Sequence, residues 1–329
     1  MTTLSVLFLG GTGRISSACS WRAVEQGLDL WVLNRGHSTS RVLPPEARRI
    51  TADVDDPRSI ANAVGDQQFD AVVDWLAFTP EQVRARTDLF RGRVGQYVFI
   101  SSASAYQTPP ARLPITESTP LRNPYWEYSR NKIACEDLLT SLYRDEGYPI
   151  TVVRPSHTYD QTSVPLDGGW TAVDRMRRGE PIVVHGDGTA LWTLTHHRDF
   201  ARDFVPLLGH PRTLGEAFHI TSDDVLTWDQ IAHALAAAAG AEAQIVHVPS
   251  DAIAAVDPAW GASLLGDKAH SMVFDNTKIR SLSREGFTTT RFEQGAREIV
   301  AWHDADLARR TIDARVDGLI SELVARFKV

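Results

Sequence analysis

The run Leu4-Ser5-Val6-Leu7-Phe8-Leu9 passes straight into Gly10-Gly11-Thr12-Gly13, and a helical pattern carrying Trp21, Val24 and Glu25 follows. A strand, a glycine turn and a helix in that order leave few folds open. The glycines let the backbone turn tightly and approach a pyrophosphate, whose charge rests on the helix N-terminal amides. Gly10 and Gly13 fill the first two places of that fingerprint, and Ser16 stands in the third. The third glycine normally serves close packing of helix on strand, a role a serine tolerates. Gly10, Thr12, Gly13, Arg14 and Ile15 are therefore the candidate phosphate cradle. The plain alternative is a glycine turn in an ordinary βα unit.

Short apolar runs at 4–9, 30–34, 48–52, 70–75 and 96–101 alternate with helical segments, which predicts an α/β fold with a doubly wound parallel sheet. A sixth strand is expected at Thr151-Val152-Val153-Arg154, after a long helix starting near Tyr125. Ala217-Phe218-His219-Ile220 is expected to return to the same sheet. These place a dinucleotide-binding domain at 1–155, rejoined by 196–221, and a smaller lobe at 156–195 and 222–329. The 156–195 stretch is rich in glycine, proline and polar residues, whereas Ala232 to Ala239 reads as an alanine-rich helix.

With 329 residues, 43% hydrophobic and 23% charged, the chain can bury a large core without disulfides or metal. Cys19 and Cys135 lie far apart in predicted helices and read as buried small hydrophobes. That suits a reducing cytoplasm. The first apolar run lacks a basic leader, and no run reaches membrane-spanning length, so no membrane partner is expected. A net charge of −7 argues against nucleic acid as a partner.

Lysine is scarce, with four residues against thirty arginines, and Lys132 lies four residues after Tyr128. On a helix those two positions share a face. An ammonium beside a phenol, together with the positive ring of an oxidised dinucleotide, favours the phenolate, which makes Tyr128 the candidate proton donor and acceptor and Lys132 its electrostatic partner.

The glycine turn, Ile100-Ser101-Ser102-Ala103-Ser104-Ala105-Tyr106 at a strand end, and Tyr128-Ser-Arg-Asn-Lys132 come in sequence. Arg154-Pro155 with Tyr159, Gly186-Asp187-Gly188, and Phe274-Asp275-Asn276-Thr277-Lys278 follow them. In this order the motifs resemble the extended short-chain dehydrogenase/reductase family, which includes nucleotide-sugar epimerases, dehydratases and reductases. The likeness spans nearly the whole chain. It implies a Rossmann sheet with a C-terminal substrate lobe, and a triad of Ser102, Tyr128 and Lys132 moving hydride at a secondary alcohol or ketone. Lys132 would also anchor the cofactor ribose. The resemblance further implies that Asp53 and Val54 meet the adenine, that Leu76, Ala77, Tyr128, Pro155 and His157 line the cofactor, and that His157 stands where an asparagine is usual. Trp75-Leu76-Ala77 replaces the small residues common in the family. A homodimer through the helices at 80–91 and 125–146 is implied as well.

Where NAD enzymes place an acidic residue, this chain has Leu33-Asn34-Arg35-Gly36. Asn34 and Arg35, with Arg41 as a second cation, suit a 2′-phosphate, so NADP is favoured and NAD remains possible. Trp192 stands where family members that bind nucleotide sugars carry an arginine that grips the diphosphate. A tryptophan can stack on a sugar but cannot neutralise a diphosphate. Ala103 and Ser104 replace the acidic pair of the dehydratases, which leaves epimerisation or carbonyl reduction. Ser102, Ser104, Trp126, His157, Trp170 and Trp192 are the candidate substrate contacts for a sugar-like or sugar-nucleotide-like molecule. His157 is also a candidate proton carrier. One alternative is an NADPH-dependent carbonyl reductase of a non-nucleotide small molecule. Another is a dinucleotide-sensing or RNA-associated protein that has lost turnover. No metal site is expected, because the adjacent His196 and His197 would point to opposite faces of a strand.

Overall fold

The computed structural model describes residues 3–36, 41–282 and 289–328. In chain order the first six strands are β1 (Ser5–Leu9), β2 (Asp29–Asn34), β3 (Arg48–Thr51), β4 (Ala71–Asp74), β5 (Tyr97–Ile100) and β6 (Ile150–Pro155). They are followed by β7 (His157–Tyr159), β8 (Ile182–His185), β9 (Leu191–His196), β10 (Glu216–Ile220), β11 (Val225–Thr227) and β12 (Ile245–Val248). The principal helices are α1 (Arg14–Glu25), α2 (Pro57–Val64), α3 (Pro80–Leu89), α4 (Glu127–Glu146), α5 (Trp170–Arg177), α6 (His197–Phe204) and α7 (Trp228–Ala238).

A seven-stranded parallel sheet runs β10-β6-β5-β4-β1-β2-β3. Its direction of winding reverses between β1 and β4, and ligands of open α/β sheets bind at such a reversal. The central strands are buried on both faces and therefore apolar almost throughout. Val6 and Phe8 face α1 and α6 with Cys19, Phe200 and Phe204, whereas Leu7 and Leu9 face the other layer with Cys135 and Leu139. The two cysteines are thus free and lie on opposite sides of the sheet.

The run at 217–220 joins as β10, paired in parallel with β6 from Glu216↔Thr151 to Ile220↔Pro155. Beyond it stand a three-stranded sheet, β11-β9-β7, and the pair β12-β8. Their core takes Trp192, Trp228, Ile231 and Phe292. The 156–195 stretch is more regular than its composition suggests, since it holds β7, α5, β8 and β9. Its glycines sit at the joints: Gly168, Gly169, Gly179, Gly186 and Gly188 all have positive φ. Among the described residues, no helix is long and apolar enough to cross a membrane.

Candidate active site

The glycine turn leaves β1 at Gly10, whose φ of +92° only glycine adopts readily. A Cβ on Gly11 would lie 2.5 Å from Val32 Cγ1, so the close approach of the turn to β2 excludes any side chain. Ser16 does more than pack: its Oγ accepts the Gly13 amide at 2.8 Å and steadies the start of α1. Above the turn lies a cavity of about 580 Å³ lined by Gly10 to Ser16, Asn34, Arg35, Val54, Leu76 and Ile100. The backbone amides that open α1 face no intrahelical acceptor and suit a phosphate. Glycine backbone, helix N-terminus and apolar floor together fit a nicotinamide dinucleotide. Such a group supplies hydride exchange when bound.

At the rim, Asn34 accepts the Gly36 amide at 2.9 Å, while Arg35 is exposed. Arg41 serves elsewhere: it pairs with Asp160 at 2.7 Å and donates to Thr162 at 2.6 Å, which withdraws it from the expected 2′-phosphate pair. Asp53 is exposed, and its carboxylate accepts the Asp55 amide, whereas the neighbouring Val54 reaches the cavity. Most of the Trp75 ring packs on Phe8 and Phe204, and Trp75 and Leu76 both line the cavity. Ala77 is buried and offers its carbonyl to Lys132.

α4 carries the phenol and the ammonium. It starts at Glu127, slightly later than expected, because the Asn123 side chain accepts the amides of Tyr125 and Trp126 in a turn before it. Lys132 is buried and donates to the carbonyls of Ala77 and Ile100, each at 2.7 Å. Its ammonium lies 4.6 Å from the Phe78 ring centre, 4.7 Å from that of Phe99 and 5.9 Å from that of Tyr128. Burial pulls the Lys132 value down to about 8. Burial likewise pushes the Tyr128 phenol above its ordinary value; the Ser102 hydroxyl is close enough to oppose this by hydrogen bonding, and Asp267 adds to it. Among the protein's own groups desolvation dominates, and the expected lowering of the phenol calls on the positive ring of an oxidised cofactor besides Lys132.

Ser102 leads into a hydroxyl chain. Its Oγ lies 2.9 Å from that of Ser104, which accepts from Ser129 at 2.7 Å. Ser102, Ser104 and Tyr128 line a second cavity of about 280 Å³ with Trp126, Pro155, His157 and Trp192. A carbonyl or hydroxyl placed there can take a hydrogen bond from Ser102 and exchange a proton with the phenol of Tyr128.

His157 and Pro155 line the second cavity together with Ser102 and Tyr128. Burial lowers the His157 value to about 3, and its Nδ1 accepts the Trp192 indole N–H at 3.1 Å. A neutral ring with that nitrogen engaged is a poor proton carrier, which corrects that one of its expected roles. Trp170 is corrected too: it stacks on His303 at 4.4 Å, is buried outside the cavity and contacts no substrate space. His196 ends β9 and His197 opens α6, so strand alternation does not separate them and their rings stand 4.5 Å apart. Among the described residues, no group of three His, Cys, Asp or Glu is placed to hold a metal.

Two charged groups in the second cavity escape the sequence reading, Asp267 and Lys268, on a π-helical turn at Leu264–Lys268. Asp267 belongs to no motif. Lys268, however, is one of only four lysines, the same signal that singled out Lys132. Its ammonium pairs with Asp167 at 2.9 Å.

Residues 6–221 match the model of the NAD dependent epimerase/dehydratase family. The chain is 27% identical over 270 residues to a 2'-dehydrokanamycin reductase of Streptomyces kanamyceticus, covering 80% of this chain and 73% of that protein. It is 28% identical over 255 residues to the chloroplast stem-loop binding protein of 41 kDa b of Arabidopsis thaliana, covering 74% and 65%. In fold it is similar to an epimerase of Methanothermobacter thermautotrophicus, with a TM-score of 0.76, 15% identity and 94% of each chain covered.

Proposed function

The chain belongs to the NAD dependent epimerase/dehydratase family, and from that premise we propose that it is a dinucleotide-dependent oxidoreductase acting on a sugar-like secondary alcohol or ketone. The observation that carries this reading is the shared cavity: Ser102 and Tyr128 line one space, next to the glycine cradle, with Lys132 fixed beneath the phenol. Tyr128 gives or takes the proton, Ser102 holds the reacting oxygen, and Lys132 anchors the cofactor ribose and contributes its charge. Tyr128→Phe tests this directly. Turnover should fall by at least about a hundredfold, the scale of lost general acid–base catalysis, while dinucleotide binding stays measurable. Unimpaired turnover would refute the assignment.

A second reading narrows the reaction to carbonyl reduction of a molecule without a nucleotide. Trp192 favours it: the ring is buried, hydrogen-bonded to His157 and packed 5.2 Å from Trp228, so it supplies an aromatic wall and no positive charge. The similarity to a 2'-dehydrokanamycin reductase points the same way. A reductase consumes one reduced dinucleotide per turnover, whereas an epimerase consumes none, and absorbance of the reduced cofactor distinguishes them.

A further inference from the structure

Asp267 is the acid of the second cavity, where its side chain has the charge of Lys268 nearby but no hydrogen-bond donor. Its position is fixed from two sides, because Gly266 presents its carbonyl to Asn123 Nδ2 at 2.6 Å and packs so closely that a Cβ there would lie 2.6 Å from Trp126 Cβ. The turn is thereby held against the loop that opens α4, and the Asp267 side chain faces the same space as Ser102 and Tyr128. Among the described residues, no hydrogen-bond donor reaches its carboxyl oxygens.

The other charged and titratable groups of that cavity are engaged. Lys268 pairs with Asp167, Arg14 donates to the Thr158 carbonyl at 3.3 Å, and His157 accepts from Trp192. Asp267 is half-buried on the cavity wall, and a carboxyl group partly withdrawn from water without a donor carries a desolvation cost. Consistent with that, burial pushes the Asp267 value up to about 7. A ligand cation would offset the cost by forming a charge-assisted hydrogen bond in a poorly hydrated site, where such bonds are strongest. Trp126 and Trp192 add aromatic walls suited to a cation and to the apolar face of a sugar ring.

Resting on the oxidoreductase reading above, we propose that Asp267 determines substrate specificity by receiving a protonated amino substituent, so that the substrate class is an amino sugar or aminocyclitol. Asp267 acts in recognition, leaving the proton exchange at the reacting carbon to Tyr128.

The test uses the full-length protein with saturating dinucleotide and matched probes: glucosamine against glucose, 2-deoxystreptamine against inositol, and glucose 1-phosphate as an anion. Affinity is read from tryptophan fluorescence. The amino member of each pair should bind at least about tenfold tighter. Asp267→Asn should bring the pairs within about twofold, and Asp267→Glu should retain the preference. Tyr128→Phe should retain it as well, so loss of turnover in that variant reports separately on the oxidoreductase reading. Equal affinity within the pairs, absence of binding by both amines, tighter binding of the phosphate, or a preference that survives in Asp267→Asn would each overturn the proposal.

Discussion

At the residue scale, Lys132 shows how burial sets a titration. Its ammonium is held by two backbone carbonyls among three aromatic rings, and desolvation outweighs the nearby Asp74 carboxylate and lowers its value to about 8. Burial disfavours the cation, so the ammonium is present below that pH and is lost as pH rises through it. The rate should therefore decline above about pH 8, well below the range where an exposed lysine titrates. A pH profile of kcat/KM checks this, and a profile flat to pH 10 would remove Lys132 from the reaction. Arg35 carries a second prediction. It is exposed at the rim of the nucleotide cavity, and the end of β2 offers Asn34 in place of a carboxylate. If it grips a 2′-phosphate, Arg35→Ala should weaken NADP binding by about tenfold or more, the value of one charge-assisted hydrogen bond, and leave NAD binding nearly unchanged. Equal losses for both dinucleotides would reject NADP selection at this position.

At the scale of elements, Asp74 fastens the end of β4 to its neighbours. Its carboxylate takes Arg86 of α3 and the Tyr97 hydroxyl of β5, each at 2.6 Å, and the amides of Leu76 and Ala77, each at 3.0 Å. The same contacts shape the turn whose Ala77 carbonyl holds Lys132. Breaking a buried pair leaves one charge uncompensated and costs about 3–5 kcal/mol. Asp74→Asn should lower the thermal midpoint markedly, and Arg86→Met should do so too, as read by calorimetry. Apolar patterning exposed the strands and helices of this region, but not their fastening. Val72 and Val73 mark β4 as buried, whereas nothing in the spacing of Asp74 and Arg86 distinguishes a buried pair from two surface charges. The start of α4 at Glu127, two residues past Tyr125, has a similar origin, since the Asn123 turn before it depends on one side chain's local hydrogen bonds.

For the molecule as a whole, charge and ancestry pull in different directions. A relative is a stem-loop binding protein, yet the net charge here is −7. Many arginines are already spent in ion pairs such as Arg41–Asp160, Arg154–Glu136 and Arg175–Asp317. Phosphate-backbone affinity requires uncommitted positive charge and weakens with salt. A structured RNA should therefore bind with no more than millimolar affinity at physiological salt in a filter assay, and tight, salt-resistant binding would revive the RNA-associated alternative. The sequence by itself determined the doubly wound sheet, the glycine turn and the phenol–ammonium spacing, because these follow from periodicities and short-range sterics that neighbouring residues encode. Only the tertiary structure decided that Arg41 is occupied, that Trp170 stands apart from the substrate space, and that Asp267 enters it. Each of those depends on groups more than a hundred residues apart being desolvated together, and desolvation is a property of the packed space.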